Sequence, residues 1–305
     1  MNSQPGAVLP LVSIIVATKN EASNISRCLG SALTQLYPKD RIEIIVVDNF
    51  SRDGTAKLAT RFTDKVFSVG PNRAAQLNFG VGKSSGEYLL FPDADMMLSS
   101  TIVAECVTMC ESEDYDALYI PETIVGSGPL IAIRNFERSF YTGTVIDAVR
   151  FVRSTTFSEA GMFDERLIFG ADDWDFDRRI TGIARIGISK AQVYHHEGDL
   201  GLSHYLGKKR GYVPAVLSYV EKWGVDDPVV KKQTGFSYRL FIVFLEEGKW
   251  KRLVRNPPKA ILMSTIRLLV GVQFMIGAGL SSQPKSRNRG LDSSNSNKRG
   301  SRNAS

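Results

Sequence analysis

Short apolar runs alternate with helix-spaced segments through the first third of the chain, and this alternation constrains the fold most. Val12 to Ala17 is a buried-strand run, Ile42 to Val47 a second, Lys65 to Val69 a short third and Glu87 to Phe91 a fourth. Between them, Glu21 to Thr34 carries apolar residues at Ile25, Cys28, Leu29, Ala32 and Leu33, a helical spacing. Thr55 starts a helix over Ala56–Phe62, Arg73 to Val81 reads as helical, and so does Ser100 to Cys110. Such alternation predicts a parallel sheet covered on both faces, whose ligands sit outside the carboxyl ends of the strands. Lys19-Asn20-Glu21, Asp48-Asn49 and Asp93-Ala94-Asp95 all fall at those ends.

The pair Asp93 and Asp95 follows the apolar run Tyr88-Leu89-Leu90-Phe91. Carboxylates at the end of a buried strand cost free energy unless a cation or hydrogen bonds compensate them. Mg²⁺ and Mn²⁺ prefer such oxygens and also bind phosphate, so the pair suggests a metal that holds a diphosphate. A solvated turn is the alternative. A second acidic run, Asp172, Asp173, Asp175 and Asp177, opens a helix at Gly170. The helix dipole favours acidic residues in the first turn, but four carboxylates exceed what capping needs.

The second half is less regular. Ala117–Ile120 and Ala191–Tyr194 read as strands, with Phe151–Arg153 one more. Beyond Gly201 the chain is helical and amphipathic. Ala260 to Leu280 is nearly long enough to span a bilayer but is interrupted by Arg267 and Gln273. Flanked by Lys249, Lys251, Arg252, Arg255 and Lys259, it fits an interfacial or re-entrant helix, with an ordinary docking helix as the alternative. The formal net charge is +6, and Lys285, Arg287, Arg289, Lys298, Arg299 and Arg302 against Asp292 put +5 of it beyond Ser281. About +1 remains for residues 1–280, which argues against a fold built around nucleic acid. Cys28, Cys106 and Cys110 lack metal-type spacing, fit a reducing compartment, and at 106 and 110 are expected to face the core. Met1 to Pro10 lacks the charged and apolar regions of a secretory signal. The expected division is an extension (1–10), a catalytic domain (11–225), a membrane-associated helical segment (226–280) and a disordered basic tail (281–305).

Four segments together resemble glycosyltransferase family 2. They are Leu11–Glu21, Val46–Thr55, Gly86–Asp95 and Gly170–Asp175, matching in order and approximate spacing over roughly residues 10–210. The resemblance implies an α/β GT-A fold with a mixed, mainly parallel sheet, a nucleotide-diphospho-sugar donor, a divalent metal (Mg²⁺ or Mn²⁺) and inversion at the anomeric carbon. It implies Thr18, Asn20 and Glu21 near the nucleoside, Asp48 on the base, Asp93 near ribose and metal, and Asp95 as the main metal ligand. Asp173 is implied as general base, and His195 or His196, following a late strand, as a further metal contact. Arg73 is a candidate for a donor phosphate. Asp172, Trp174, Lys208 and Arg210 are candidates for the acceptor or its phosphate; Lys208-Lys209-Arg210 with Tyr212 and Tyr219 can also be a solvated basic face. Two features depart from the family pattern. Asp172-Asp173 stands where Glu-Asp is common, and no Gln-x-x-Arg-Trp follows, which favours single addition over processive synthesis.

The expected function is a metal-dependent, inverting transfer of one sugar to a lipid-linked or glycan acceptor at the cytoplasmic membrane face. A nucleotidyltransferase is the alternative enzyme, although Val16–Glu21 lacks a Gly-rich nucleotide loop. A non-catalytic membrane scaffold with this fold is the third reading.

Overall fold

The computed structural model describes residues 8–168 and 170–281. The basic tail expected to be disordered, and most of the short N-terminal extension, lie outside the described residues. In chain order, β1 (Val12–Thr18) leads to α1 (Ile25–Leu33), β2 (Ile42–Asp48) to α2 (Thr55–Ala59), and β3 (Val66–Ser68) to α3 (Arg73–Val81). Then come β4 (Tyr88–Leu90), β5 (Met96–Leu98), α4 (Ile102–Glu113), β6 (Ala117–Tyr119), β7 (Glu122–Ser127), α5 (Ile131–Arg138), β8 (Val149–Arg153) and α6 (Ser154–Glu159). The helix α7 (Ala171–Thr181) precedes β9 (Ile186–Ile188) and β10 (Val193–Asp199). Helices close the chain: α8 (Leu202–Gly211), α9 (Val213–Trp223), α10 (Pro228–Thr234), α11 (Phe236–Leu240), α12 (Trp250–Arg255) and α13 (Pro257–Ser281).

A seven-stranded sheet has the order β3-β2-β1-β4-β8-β6-β9. The first four strands are parallel, as the alternation predicts, with Ile14 in register with both Ile44 and Leu90. β1 is covered on both faces, which is why its sequence is continuously apolar. Val12, Ile14 and Val16 pack with α1 and α4, while Ile15 packs with α3 and α7 on the other side. Gly80 lets α3 press onto the sheet: a Cβ there would lie 2.4 Å from Ile15 Cγ2. β8 departs from the alternation, inserting antiparallel between β4 and β6. The three cysteines are free and buried, with Cys106 and Cys110 in the core.

A second, three-stranded sheet has the order β5-β10-β7 and no counterpart in the expectations above. Paired on both sides, β10 continues to Asp199, so His195 and His196 lie within a strand rather than after one. α1 begins at Ile25, four residues later than its apolar spacing suggests. Asn20 is left-handed (φ 55°), and its backbone N–H and side-chain carbonyl are tied to Ser51 and Arg52 of the neighbouring loop.

A separate apolar cluster joins α5, α8, α11 and α13 through Ile133, Phe140, Tyr205, Tyr238, Met263 and Ile266. Arg267, which would burden a spanning helix, turns inward and donates to Glu137 and to the Tyr141 hydroxyl. The opposite face of α13 exposes Ile261, Leu262, Leu268, Leu269, Val272, Met275 and Ile276. Among the described residues, 257–278 form one helix long and apolar enough to cross a membrane, and 22% of its apolar window is buried.

Candidate active site

The two acidic motifs meet at one arginine. A parallel bridge between Ala17 and Asp93 carries the β1–β4 pairing past the strand ends and fixes the first motif. Arg73, at the start of α3, donates from Nε to Asp93 Oδ1 at 3.0 Å. Its Nη1 donates to Asp172 Oδ2 at 3.0 Å and to Asp173 Oδ1 at 2.8 Å. Asp172 is fully buried, and its Oδ1 accepts the Gly170 N–H at 2.9 Å. Gly170 is left-handed (φ 85°), a conformation that suits glycine and turns the chain into α7. Asp172 therefore braces the loop and Arg73 instead of facing the cleft where an acceptor would sit. Arg73, the candidate for a donor phosphate, is engaged by three carboxylates.

These contacts push the carboxylates apart in acidity. Burial raises Asp93, but Arg73 and Arg150 outweigh it and hold the carboxyl down at about 2. Arg150 Nη1 lies 3.4 Å from Asp93 Oδ2, so both oxygens of Asp93 face guanidinium groups. Asp173 goes the other way: burial pushes it up to about 6 against the pull of Arg73, with Asp172 and Asp93 adding to the rise. The rest of the acidic run is structural. Asp175 accepts from Arg179 and from the Trp223 indole at 3.0 and 2.8 Å. Burial raises Asp177 to about 8.

His195 sits between two carboxylates. Its Nε2 is 3.0 Å from Asp95 Oδ2 and its Nδ1 is 2.9 Å from Glu122 Oε1. Burial disfavours the imidazolium, yet the hydrogen bonds to Asp95 and Glu122 outweigh it and raise the ring to about 10. Glu122 also accepts from Arg138 and Arg150, and these cations and His195 overcome its burial and keep it well below the usual carboxylate range. Asp95 Oδ1 is buried with no hydrogen-bond partner among the described residues. Asp95 Oδ1 is an open lone-pair donor, and His195 Nε2 becomes one on giving up the proton it shares with Asp95 Oδ2, so the pair fits a small divalent cation whose binding releases that proton. Among the described residues no three such side chains converge into a closed cage. The set is an open one, of the kind that substrate phosphates complete.

At the other end, the β1–α1 and β2–α2 loops are sewn together. Glu21 N–H donates to Thr55 Oγ1 at 2.8 Å and Ala22 N–H to Asp53 Oδ2 at 3.0 Å. Thr18 and Asp48 are register partners at the ends of β1 and β2. Both are buried, and Thr18 Oγ1 and Asp48 Oδ1 lack partners among the described residues. Asp48 Oδ2 accepts the Ser51 N–H at 2.8 Å. Asn20 is exposed, whereas Glu21 is half-buried and raised chiefly by burial.

A cleft of about 180 Å³ runs from this centre under α8. Asp93, Asp173, Trp174, His195 and Lys208 line it, together with Arg134, Glu197, Lys209 and Tyr212, whose part the motifs do not signal. Tyr205, Lys208, Lys209 and Tyr212 share one face of α8 and its cap, a spacing of three, four and seven that would have found them. Arg210 falls off that face; it is exposed and lies along α13, where a Cβ on Gly277 would stand 3.5 Å from its Cγ. It is thus separated from the cleft for which it was a candidate. Trp174 is fixed by its indole N–H, which donates to the Ile146 carbonyl at 3.2 Å.

Residues 13–142 match the model of Glycosyl transferase family 2. These residues belong to glycosyltransferase family 2. Glycosyltransferase AglE of Haloferax volcanii is 38% identical over 96 residues, 29% of this chain and 32% of that protein. Poly(ribitol-phosphate) beta-N-acetylglucosaminyltransferase TarS of Staphylococcus aureus is 23% identical over 239 residues, 70% of this chain and 41% of that protein. The chain thus spans a third to two fifths of the length of these relatives. Among solved structures, the mannosyltransferase PcManGT from Pyrobaculum calidifontis, in complex with GDP-Man and Mn²⁺, is similar with a TM-score of 0.61 at 19% identity. The match covers 90% of this chain and 89% of that one. S. aureus TarS is similar with a TM-score of 0.54 at 18% identity, over 88% and 54% of the two chains. The α/β fold is therefore that of GT-A transferases, with its mainly parallel central sheet.

Proposed function

We propose that this chain transfers one sugar from a nucleotide-diphospho-sugar to an acceptor hydroxyl or phosphate, with inversion and with the help of a divalent cation. The observation that carries the reading is Arg73, which holds the Asp93 motif and Asp173 against a single cleft. Asp173 gives one oxygen to Arg73 and lines the cleft, and its elevated acidity constant of about 6 suits a base working near neutral pH. A hydroxyl acceptor's oxygen forms a bond to C1 of the sugar, its proton passes to Asp173, and the C1–O bond to the diphosphate breaks; an ionised phosphate oxygen makes the same displacement with no proton to give up. One such displacement inverts the anomeric centre.

Asp95 and His195 are the residues that would hold the cation, with Glu122 orienting the ring. Bound there, a cation supplies charge compensation for the departing diphosphate. The unpartnered Thr18 Oγ1 and Asp48 Oδ1 offer an acceptor edge for the base of the nucleotide, beside Asn20 and Glu21. The exposed apolar face of α13 supports contact with the cytoplasmic face of a membrane, where a lipid-linked or glycan acceptor would be met.

The test is a panel of nucleotide sugars with Mn²⁺ and polyprenyl-phosphate or glycan acceptors. Free nucleoside diphosphate should accumulate with glycosylated acceptor, and Asp173→Asn should abolish both while retaining donor binding. Release of pyrophosphate would replace this reading with nucleotidyl transfer, and no donor binding at all would leave a scaffold.

A further inference from the structure

One carboxylate in the cleft holds neither the cation nor the acceptor proton. Glu197 stands on β10 two residues beyond His195, so the two side chains share one face of the strand. β10 slips register against β7 between His196 and Asp199. Two glycines fix the irregularity: Gly198 is left-handed (φ 64°), and a Cβ on Gly126 of β7 would strike the Gly198 carbonyl. Irregularities of this kind end a regular ladder and re-aim side chains beside sites. Here the side chain so placed is Glu197, which lines the cleft with His195 and Lys208.

The Glu197 side chain is 8% exposed. Its Oε1 lies 3.9 Å from Lys208 Nζ, and its Oε2 is buried with no hydrogen-bond partner among the described residues. A buried carboxylate oxygen in that condition is costly. The donors that share the cleft are engaged elsewhere. His195 is held between Asp95 and Glu122, and Arg134 donates to Glu137. Lys209 lies between the rings of Tyr205 and Tyr212, 5.4 and 5.2 Å from their centroids. Nor does Glu197 join Asp95 and His195 around a cation, since among the described residues no three such side chains converge. The missing partner is a hydrogen-bond donor that the substrate brings.

We propose that Glu197 Oε2 accepts a hydrogen bond from a hydroxyl of a sugar in the cleft, and that Glu197 thereby selects sugars bearing that hydroxyl. The contact rests on the glycosyl-transfer reading of the cleft and deepens it by naming a residue that discriminates among sugars. A site built to pair with a hydroxyl rejects the analogue that lacks it, because its own buried group is then left unpaired. A strand advances about 3.3 Å per residue, which sets Glu197 about 7 Å along β10 from His195. A sugar ring carried by a diphosphate on the Asp95–His195 cation falls within that span, so the spacing favours the donor sugar as the source of the hydroxyl. A sugar of the acceptor is the other source of the same chemistry.

The experiment is calorimetric titration of the full chain with Mn²⁺ and UDP-glucose, UDP-N-acetylglucosamine or GDP-mannose, with UDP and GDP as sugar-free controls. It is run on wild type, Glu197→Ala and the near-isosteric Glu197→Gln, and is followed by steady-state transfer to methyl glucoside and methyl mannoside. Glu197→Ala should weaken the sugar nucleotides that wild type binds by about 10- to 100-fold, the worth of one hydrogen bond to a charged group, and leave UDP and GDP unchanged. Glu197→Gln, which keeps an oxygen and loses the charge, should fall between. Unchanged donor affinity with the KM of the glycoside raised by a similar factor would also support the contact and assign the hydroxyl to the acceptor. Equal loss for UDP and GDP in Glu197→Gln would overturn it, as would donor affinity and glycoside KM unchanged in both variants, or a wild type that binds no sugar nucleotide. Pyrophosphate release by wild type, with sugar binding lost in the variants, would sink glycosyl transfer and leave the contact standing. Transfer by wild type with both variants unaffected would do the reverse.

Discussion

Arg73 donates to Asp173 at 2.8 Å, across 100 positions of sequence. The same guanidinium holds Asp93 and Asp172, so the ends of β4, α3 and α7 share one ionic junction. Removing the arginine leaves three carboxylates facing one another with Arg150 as the nearest compensating cation.

Arg73→Ala should therefore fail twice. Transfer should fall by at least about a hundredfold because both acidic motifs lose their placement. Stability should drop by about 3 kcal/mol, the scale of breaking a mostly buried ion pair. Steady-state kinetics and urea unfolding check the two effects. An unchanged rate would remove Arg73 from the site.

Asp173 as the proposed base has a pH signature. Asp173 must be ionised to accept a proton, and its acidity constant is about 6. The value of kcat/KM should be level above that pH and fall as pH drops through it. Asp173→Asn should cost about a thousandfold in kcat, within the range for a general base. Donor affinity should stay near wild type in that variant, measured by titration calorimetry.

Asp177 predicts a pH dependence of stability. Its ordinary value is 3.8 and burial raises it to about 8 in the fold. Between those values the folded chain keeps a proton that the unfolded chain has released, so its contribution to stability declines as pH rises from about 4 to about 8. Asp177→Asn should remove this decline. Urea midpoints of both proteins at pH 5 and pH 9 test it: the variant should gain relative to wild type at the higher pH.

Glu122 gives a test of the cation reading without touching the residues that would bind the ion. Its carboxylate holds His195 Nδ1 at 2.9 Å and so leaves Nε2 toward Asp95. Glu122→Gln should raise the Mn²⁺ concentration needed for half-maximal donor binding by about 10- to 100-fold. Identical Mn²⁺ dependence would separate His195 from the metal.

The face of α13 has its own assay. Leu268→Asp with Val272→Asp places two charges on the exposed apolar stripe without entering the core. Flotation with anionic vesicles should capture wild type and lose most of the double variant. Equal flotation would mean that this stripe is not the membrane contact.

What was legible in the sequence follows from physical scale. β1, β2 and β4 announce themselves because both their faces are covered, so their residues are apolar without interruption. Asp93 and Asp95 stand out because carboxylates at strand ends call for compensation, whereas Asp173 is singled out only by the resemblance of its acidic motif. β5 and β7 are three and six residues long. Their pairing is decided by β10 and not by local pattern, so the second sheet stayed hidden, and with it the place of Glu122 beside His195. Arg150 was invisible for a related reason: its strand runs antiparallel into a sheet whose alternation reads as parallel. In α8 the basic triplet was seen but its helical phase was not applied, and so Arg210 stood where Lys209 belongs.

The cleft is built from two kinds of support. Its chemical side rests on β1, β4, α3 and α7, locked into the central sheet by Arg73 and by Gly80 packed on Ile15. Its far wall is lined from α5 and α8, which belong to a separate apolar cluster with α11 and α13. The wall can be remodelled by repacking those helices while the junction of carboxylates stays in place. On the proposed reading, acceptor choice and bond-making would then be separable, and new acceptors would be within reach of changes confined to the helical cluster.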